Sequence, residues 1–203
     1  MRGQIAQNKN NIPMNIPALS RLRRLAHEHV CADHPDLASM ARSLGQHVHR
    51  EGGAIAQALA PLNMQVDRLR RWHLTPRRAR GAHVTLMAWP GDHTTPVHDH
   101  DSRWGLEIVL LGALEVRNFT RQGEQLHEAE KTWLGPADAV WYDAHEPHAH
   151  RCRNLSRDHV AWTLLVHQAR LDHYHAYEPA GDGHHARWQR RRLSTRFAGQ
   201  LAG

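Results

Sequence analysis

Between Val84 and Val166 the chain breaks into short apolar runs separated by turn residues, and few folds accept that spacing. Val84-Thr85-Leu86-Met87-Ala88-Trp89 stops at Pro90-Gly91. Glu107 to Leu111 and Ala113 to Arg117 flank Gly112, and Ala139-Val140-Trp141-Tyr142 precedes Pro147. Val160 to Val166 is apolar except for Thr163. Many short strands at such intervals predict an antiparallel barrel or sandwich.

The first third has a different period. Leu19, Leu22, Leu25 and Ala26 recur at helical steps. Asp33 to Leu44 reads as a second helix, capped by Asp33 or Asp36. Gly52-Gly53 is expected to interrupt it, with a third short helix from Ala54 to Leu59 ended by Pro61. The expected organisation is a flexible arm over 1–17, a helical portion over 18–62, a barrel over 63–179 and a basic C-terminal tail over 180–203.

The chain has 203 residues, enough to bury a proper core. No apolar run reaches the length that spans a bilayer. The polar N-terminus lacks the apolar core of a secretory signal. Two cysteines, Cys31 and Cys152, give no disulfide framework, and a cytoplasmic location fits. The net charge of +6 is uneven. Arg187, Arg190, Arg191, Arg192 and Arg196 lie in a segment without acidic residues. A solvated terminal helix or tail is a simpler reading of that segment than a nucleic-acid patch.

Histidine carries the chemistry. There are 20 in the chain, so chance alone supplies roughly two H-x-H pairs. Five occur: His27/His29, His47/His49, His98/His100, His148/His150 and His173/His175. The central pair stands out by its setting. Gly91 and Pro96 flank a turn that delivers Val97-His98-Asp99-His100. On an extended strand His98 and His100 share a face. His150, on a neighbouring strand, can add a third imidazole, with His145 and His148 as competitors. Three neutral imidazoles leave coordination positions open for a substrate.

This pattern resembles the cupins, small jelly-roll barrels whose first motif holds a spaced H-x-H between glycines and whose second ends in H-x-x-x-N. His150 and Asn154 match that ending. The resemblance implies a mainly β cupin fold, a small double-stranded β-helix barrel with N-terminal helices. The usual cupin glutamate would fall at Trp104 or Gly105, and Glu107 is too far along to replace it obviously.

Within the cupins, Thr95-Pro96-Val97-His98-Asp99-His100, Trp104-Gly105-Leu106 and Leu111-Gly112 resemble the cysteine dioxygenase family of thiol dioxygenases. His150-Arg151-x-x-Asn154-x-Ser156 and Leu171-Asp172-x-x-His175-Ala176-Tyr177 resemble its later segments. The resemblance covers roughly Val66 to Glu178. It implies Fe(II) on His98, His100 and His150, and oxidation of a small thiol by O2 to a sulfinic acid. Arg71 falls where the family binds the substrate carboxylate, and a guanidinium suits that task. Leu69 stands where the family often has tyrosine.

There are departures. The family often carries Ser, His and Tyr at alternate positions after the third ligand, where this chain has Thr163, Leu165 and His167. Thr163 can replace the serine hydroxyl, Leu165 cannot hydrogen-bond, and His167 is expected to contact oxygen or substrate. Gly105 removes the crosslinking cysteine of animal members. These changes bear on the substrate more than on the reaction. Cysteine, 3-mercaptopropionate, cysteamine and specialised thiols all fit. The implied partners are a small thiol and O2, not a membrane or nucleic acid. The alternatives are a metal-dependent cupin enzyme of other chemistry and a non-catalytic binding cupin.

Overall fold

The computed structural model describes residues 17–30, 35–76, 79, 81–123, 125–144, 148–180, 187–195, 197 and 199–200. The arm expected over 1–17 lies outside them except for Pro17. So do Cys31, Asp33, Arg77, Arg78, Arg80, His145 and Arg196.

Helix α1 (Pro17–Glu28) begins on proline, whose missing N–H is harmless in the first turn. It buries Leu19, Leu22, Leu25 and Ala26, the stripe legible in the sequence. Helix α2 (Leu37–Leu59) starts at Asp36, whose carboxylate accepts the Ser39 amide N–H at 2.9 Å. The interruption expected at Gly52-Gly53 does not occur, because α2 runs through both glycines. A helical glycine costs roughly 1 kcal/mol. Burying Leu44, Val48, Ile55 and Leu59 against the barrel, at about 1.5–3 kcal/mol for each large side chain, outweighs that cost. A 3-10 turn (Ala60–Gln65) follows, with Pro61 near its start. The Trp162 indole N–H donates to Asn63 Oδ1 at 2.8 Å and ties this turn to the barrel.

Twelve strands follow: β1 (Arg70–His73), β2 (His83–Trp89), β3 (Val97–Asp99), β4 (Gly105–Leu111), β5 (Leu114–Gln122), β6 (Gln125–Leu134), β7 (Ala139–Tyr142), β8 (His148–Asn154), β9 (Ala161–His167), β10 (His173–Ala180), β11 (Arg187–Ser194) and β12 (Gly199–Gln200). They form two six-stranded sheets, ordered β12-β1-β2-β9-β4-β7 and β11-β10-β3-β8-β5-β6. Pairing is antiparallel except between β1 and β12. The β4–β5 hairpin turns at Gly112, with φ of +82° and a Cβ position only 2.8 Å from the Ala161 side chain. Glycine alone meets both conditions.

Strand β9 shows why one segment is apolar on both faces. Trp162, Leu164 and Val166 join the cluster that packs on the helices. Ala161 and Leu165 join the cluster inside the barrel. A strand covered on both sides reads as a continuous apolar run. The arginine-rich segment differs from expectation. Arg187–Ser194 is not a tail or helix but the outer strand of the second sheet, paired along its length with β10. Among the described residues, no helix is long and apolar enough to cross a membrane.

Asn154 pins the end of the barrel. Its side-chain N–H groups are shared among the carbonyls of Trp89 (3.0 Å), Pro90 (3.1 Å) and His159 (2.8 Å). Its Oδ1 accepts the Ser156 amide N–H at 3.0 Å. Asn154→Ala leaves these buried groups short of partners, and the expected loss is about 2–4 kcal/mol in chemical denaturation. An unchanged midpoint would show that the loops hold without it.

Candidate metal centre

His98 and His150 are direct cross-strand partners in the β3–β8 register. His100 follows β3 and returns to the same face. The donor atoms of His98, His100 and His150 all lie within 4.8 Å of one another. The ring centroids are 4.4 Å apart for His98 and His150, 4.7 Å for His100 and His150, and 5.6 Å for His98 and His100. The structure thus brings together the three histidines that the sequence put forward as ligands.

The donor set suits a divalent transition metal. His98 Nδ1 lies 3.0 Å from the Pro96 carbonyl, which fixes it as the protonated nitrogen and leaves Nε2 with its lone pair. Burial pushes His98 down to about 4. Burial and then the neighbouring rings hold His100 and His150 well below the ordinary histidine value. All three rings are therefore neutral at pH 7, as metal ligation requires. The Nδ1 atoms of His100 and His150 are buried with no hydrogen-bond partner.

Two aromatic contacts hold the rings in place. Tyr142 stacks on His150 at 4.4 Å and meets His100 edge-on at 5.8 Å. His148, the sequence competitor of His150, also stacks on Tyr142, at 4.3 Å, with its ring 6.1 Å from that of His150. It is not one of the clustered three. Gly105 makes room nearby. A Cβ there would sit 3.0 Å from His100 Nδ1 and 3.1 Å from His167 Cδ2.

The three histidines line one wall of a cavity of about 220 Å³, shared with Arg71, Glu107 and Tyr174. The size suits a small molecule. Arg71 enters from β1, and burial lowers its pKa. Leu69, Leu165 and Cys152 also face the cavity. Burial raises the Cys152 thiol well above its usual value, so it is held as thiol.

Thr163 and His167 sit elsewhere than expected. Neither is among the cavity-lining residues. The Thr163 hydroxyl accepts the Trp89 indole N–H at 3.0 Å and donates to Glu107 Oε1 at 2.7 Å. Thr163 thus acts through Glu107. His167 lies edge-on to His100 at 4.6 Å, and burial drives it down to about 3. It is a neutral packing partner of a candidate ligand.

Sequence reasoning passed over Glu107 and Tyr174. Glu107 is only 4 % exposed, and burial raises it to about 7. It is not part of the histidine cluster, so it does not restore the missing cupin glutamate as a ligand. The signal was available in a lone acid within the apolar run Leu106 to Leu111. Tyr174 carried no such signal. Its ring meets His98 edge-on at 5.6 Å.

No family model and no curated protein matches the chain. Several solved structures are similar. The Schizosaccharomyces pombe Cnp3 cupin domain is 12% identical over 50% of this chain and 61% of its own, with a TM-score of 0.40. An oxalate oxidase in complex with the substrate analogue glycolate is 14% identical over 50% of this chain and 51% of its own, at 0.41. KdgF from Halomonas sp. is 20% identical over 50% of this chain and 80% of its own, at 0.39. The chain therefore spans only about half to three-fifths of the first two. The sheet order and strand register stand independently of these likenesses. The fold is a mainly β barrel of two six-stranded sheets with N-terminal helices.

Linkage gives a prediction for the metal-free protein. His98, His100, His150 and His167 are all depressed in the fold. Their contribution is present above the unfolded value of about 6.5 and is lost as pH falls toward about 4. Glu107, raised by burial, works in the opposite direction as one group against four. The midpoint of thermal unfolding should fall steadily from pH 6.5 to pH 4. A flat profile over that window would contradict the buried neutral cluster.

Proposed function

We propose that the protein is a non-haem Fe(II) thiol dioxygenase that converts a small thiol to a sulfinic acid with O2. The observation that carries this reading is three neutral histidines lining a small cavity that they share with Arg71. The motif resemblance to the cysteine dioxygenase family supports the choice of reaction. A bound iron would be held by His98, His100 and His150, and would supply a meeting point and electron path for thiol and O2.

The chain's own residues do the rest. Arg71 takes the carboxylate of the substrate through its planar fork of donors. Arg71 comes from one sheet and the histidine-bearing β3 and β8 belong to the other, which supports a carboxylate held at Arg71 with the sulfur end directed toward the histidines. Met87, Trp89, Leu69 and Leu165 keep much of the wall apolar, which limits water around the reacting groups. Both atoms of O2 end on sulfur, so the products are a sulfinate and a proton.

The test is a panel of cysteine, 3-mercaptopropionate and cysteamine offered to iron-loaded protein, with O2 uptake and sulfinate measured together. At least one thiol is expected to give one sulfinate per O2. Arg71→Ala is expected to lower kcat/KM for a carboxylate-bearing thiol by roughly 10- to 100-fold, mainly through KM. No uptake with any thiol would contradict the reading, and His98→Ala retaining full activity would remove the site.

A further inference from the structure

Arg71 and Glu107 line the same cavity, and among the described residues the two are its only arginine and its only acid. They come from opposite sides of the concave sheet. Arg71 is on β1 and Glu107 on β4, with β2 and β9 between them. Among the described residues, neither belongs to an ion pair, so no contact of 4.0 Å or less joins them. Opposite charges buried apart are costly unless something pairs with each.

The hydrogen bonds behind Glu107 have a fixed direction. A tryptophan indole can only donate. Trp89 therefore occupies the Thr163 oxygen as an acceptor, and the Thr163 proton points to Glu107 Oε1. Burial works against the charged form and raises the group to about 7, while the Thr163 donor and the nearby Arg71 favour the carboxylate. The other oxygen, Oε2, makes no hydrogen bond among the described residues, and Glu107 faces the cavity.

We propose that Glu107 is a specificity-determining residue that receives a cationic group of the same small ligand whose carboxylate Arg71 receives. This rests on the dioxygenase reading for the thiol, and it narrows the substrate class to dipolar thiols that carry an ammonium as well as a carboxylate. A ligand with a carboxylate alone pairs with Arg71 but leaves its charge facing Glu107. A dipolar ligand pairs with both walls. Glu107 lies outside the histidine cluster, so the ammonium is held by the protein wall.

Thiol-free probes separate this proposal from the chemistry. L-2-aminobutyrate carries both charges, and butyrate carries only the carboxylate. Their binding to the full-length protein can be followed by NMR at the indole N–H of Trp89, which reports on the Trp89–Thr163–Glu107 chain. The wild type is expected to bind L-2-aminobutyrate ~10-fold or more tightly than butyrate, the size of a charge-assisted hydrogen bond. Glu107→Gln is expected to abolish that preference and to tighten butyrate, because the repelling charge is gone. A merely structural role would weaken both probes alike. Equal binding of the two probes by the wild type would overturn the proposal. So would an unchanged preference in Glu107→Gln, or loss of bound metal in that variant, which would make Glu107 a ligand. If Glu107→Gln fails to fold, Glu107→Asp serves instead. It withdraws the carboxylate and is expected to shrink the preference without reversing it, and an unchanged preference there would also overturn the proposal. Failure of the dioxygenase reading shows separately, as absence of O2 uptake with every thiol while the probe preference persists.

Discussion

The site depends on a hydrogen bond outside it. Strand β3 has only three residues, too few to hold two ligands firmly by ladder bonds alone. Its last residue, Asp99, lies between His98 and His100 and is clamped from the other side. Asp99 Oδ2 accepts the Tyr177 hydroxyl at 2.6 Å and Arg190 at 3.3 Å, while Oδ1 accepts the Asp101 amide at 2.9 Å and faces His175 at 3.2 Å. Burial alone would raise the Asp99 carboxyl, but these donors outweigh it and hold it below its usual value. With the alternation of a strand, fixing Asp99 outward fixes His98 and His100 inward. The arginine-rich β11 thus has a structural role, because Arg190 reaches back to this clamp.

The two walls of the cavity then have different duties. One carries neutral imidazoles, kept neutral by burial and buttressed by Tyr142 and His167. The other carries separated charges on a curved sheet. Neutral rings suit a metal, and the separated charges suit a small polar ligand. That division lets the same barrel interior remain apolar around Trp89, Met87 and Leu165 without leaving its polar groups idle.

Much of this was legible in the sequence, for physical reasons. Short apolar runs between turn residues marked the strands, and the Leu19/Leu22/Leu25 stripe marked the first helix. His98, His100 and His150 were legible because spacing on a strand dictates a common face. What was not legible depended on tertiary packing and pairing. Gly52-Gly53 marked a break by propensity, but tertiary packing carried α2 through it. Thr163 and His167 have the right alternation to face inward, yet the Thr163 hydroxyl is taken up by Trp89 and Glu107, and His167 packs edge-on against His100. Arg187 to Ser194 read as a solvated tail because its outward arginines mask an edge strand. Glu107 was weighed only as a substitute ligand, and its place in the cavity wall depends on strand pairing that no local motif displays.

The central claim is that a thiol and O2 react on the face formed by His98, His100 and His150. The most direct test supplies ¹⁸O2 to iron-loaded protein with the best thiol and determines the isotope content of the product. The account predicts a sulfinate in which both oxygens carry the label. A product whose oxygen comes from water, or a disulfide with no oxygen gained, would contradict it.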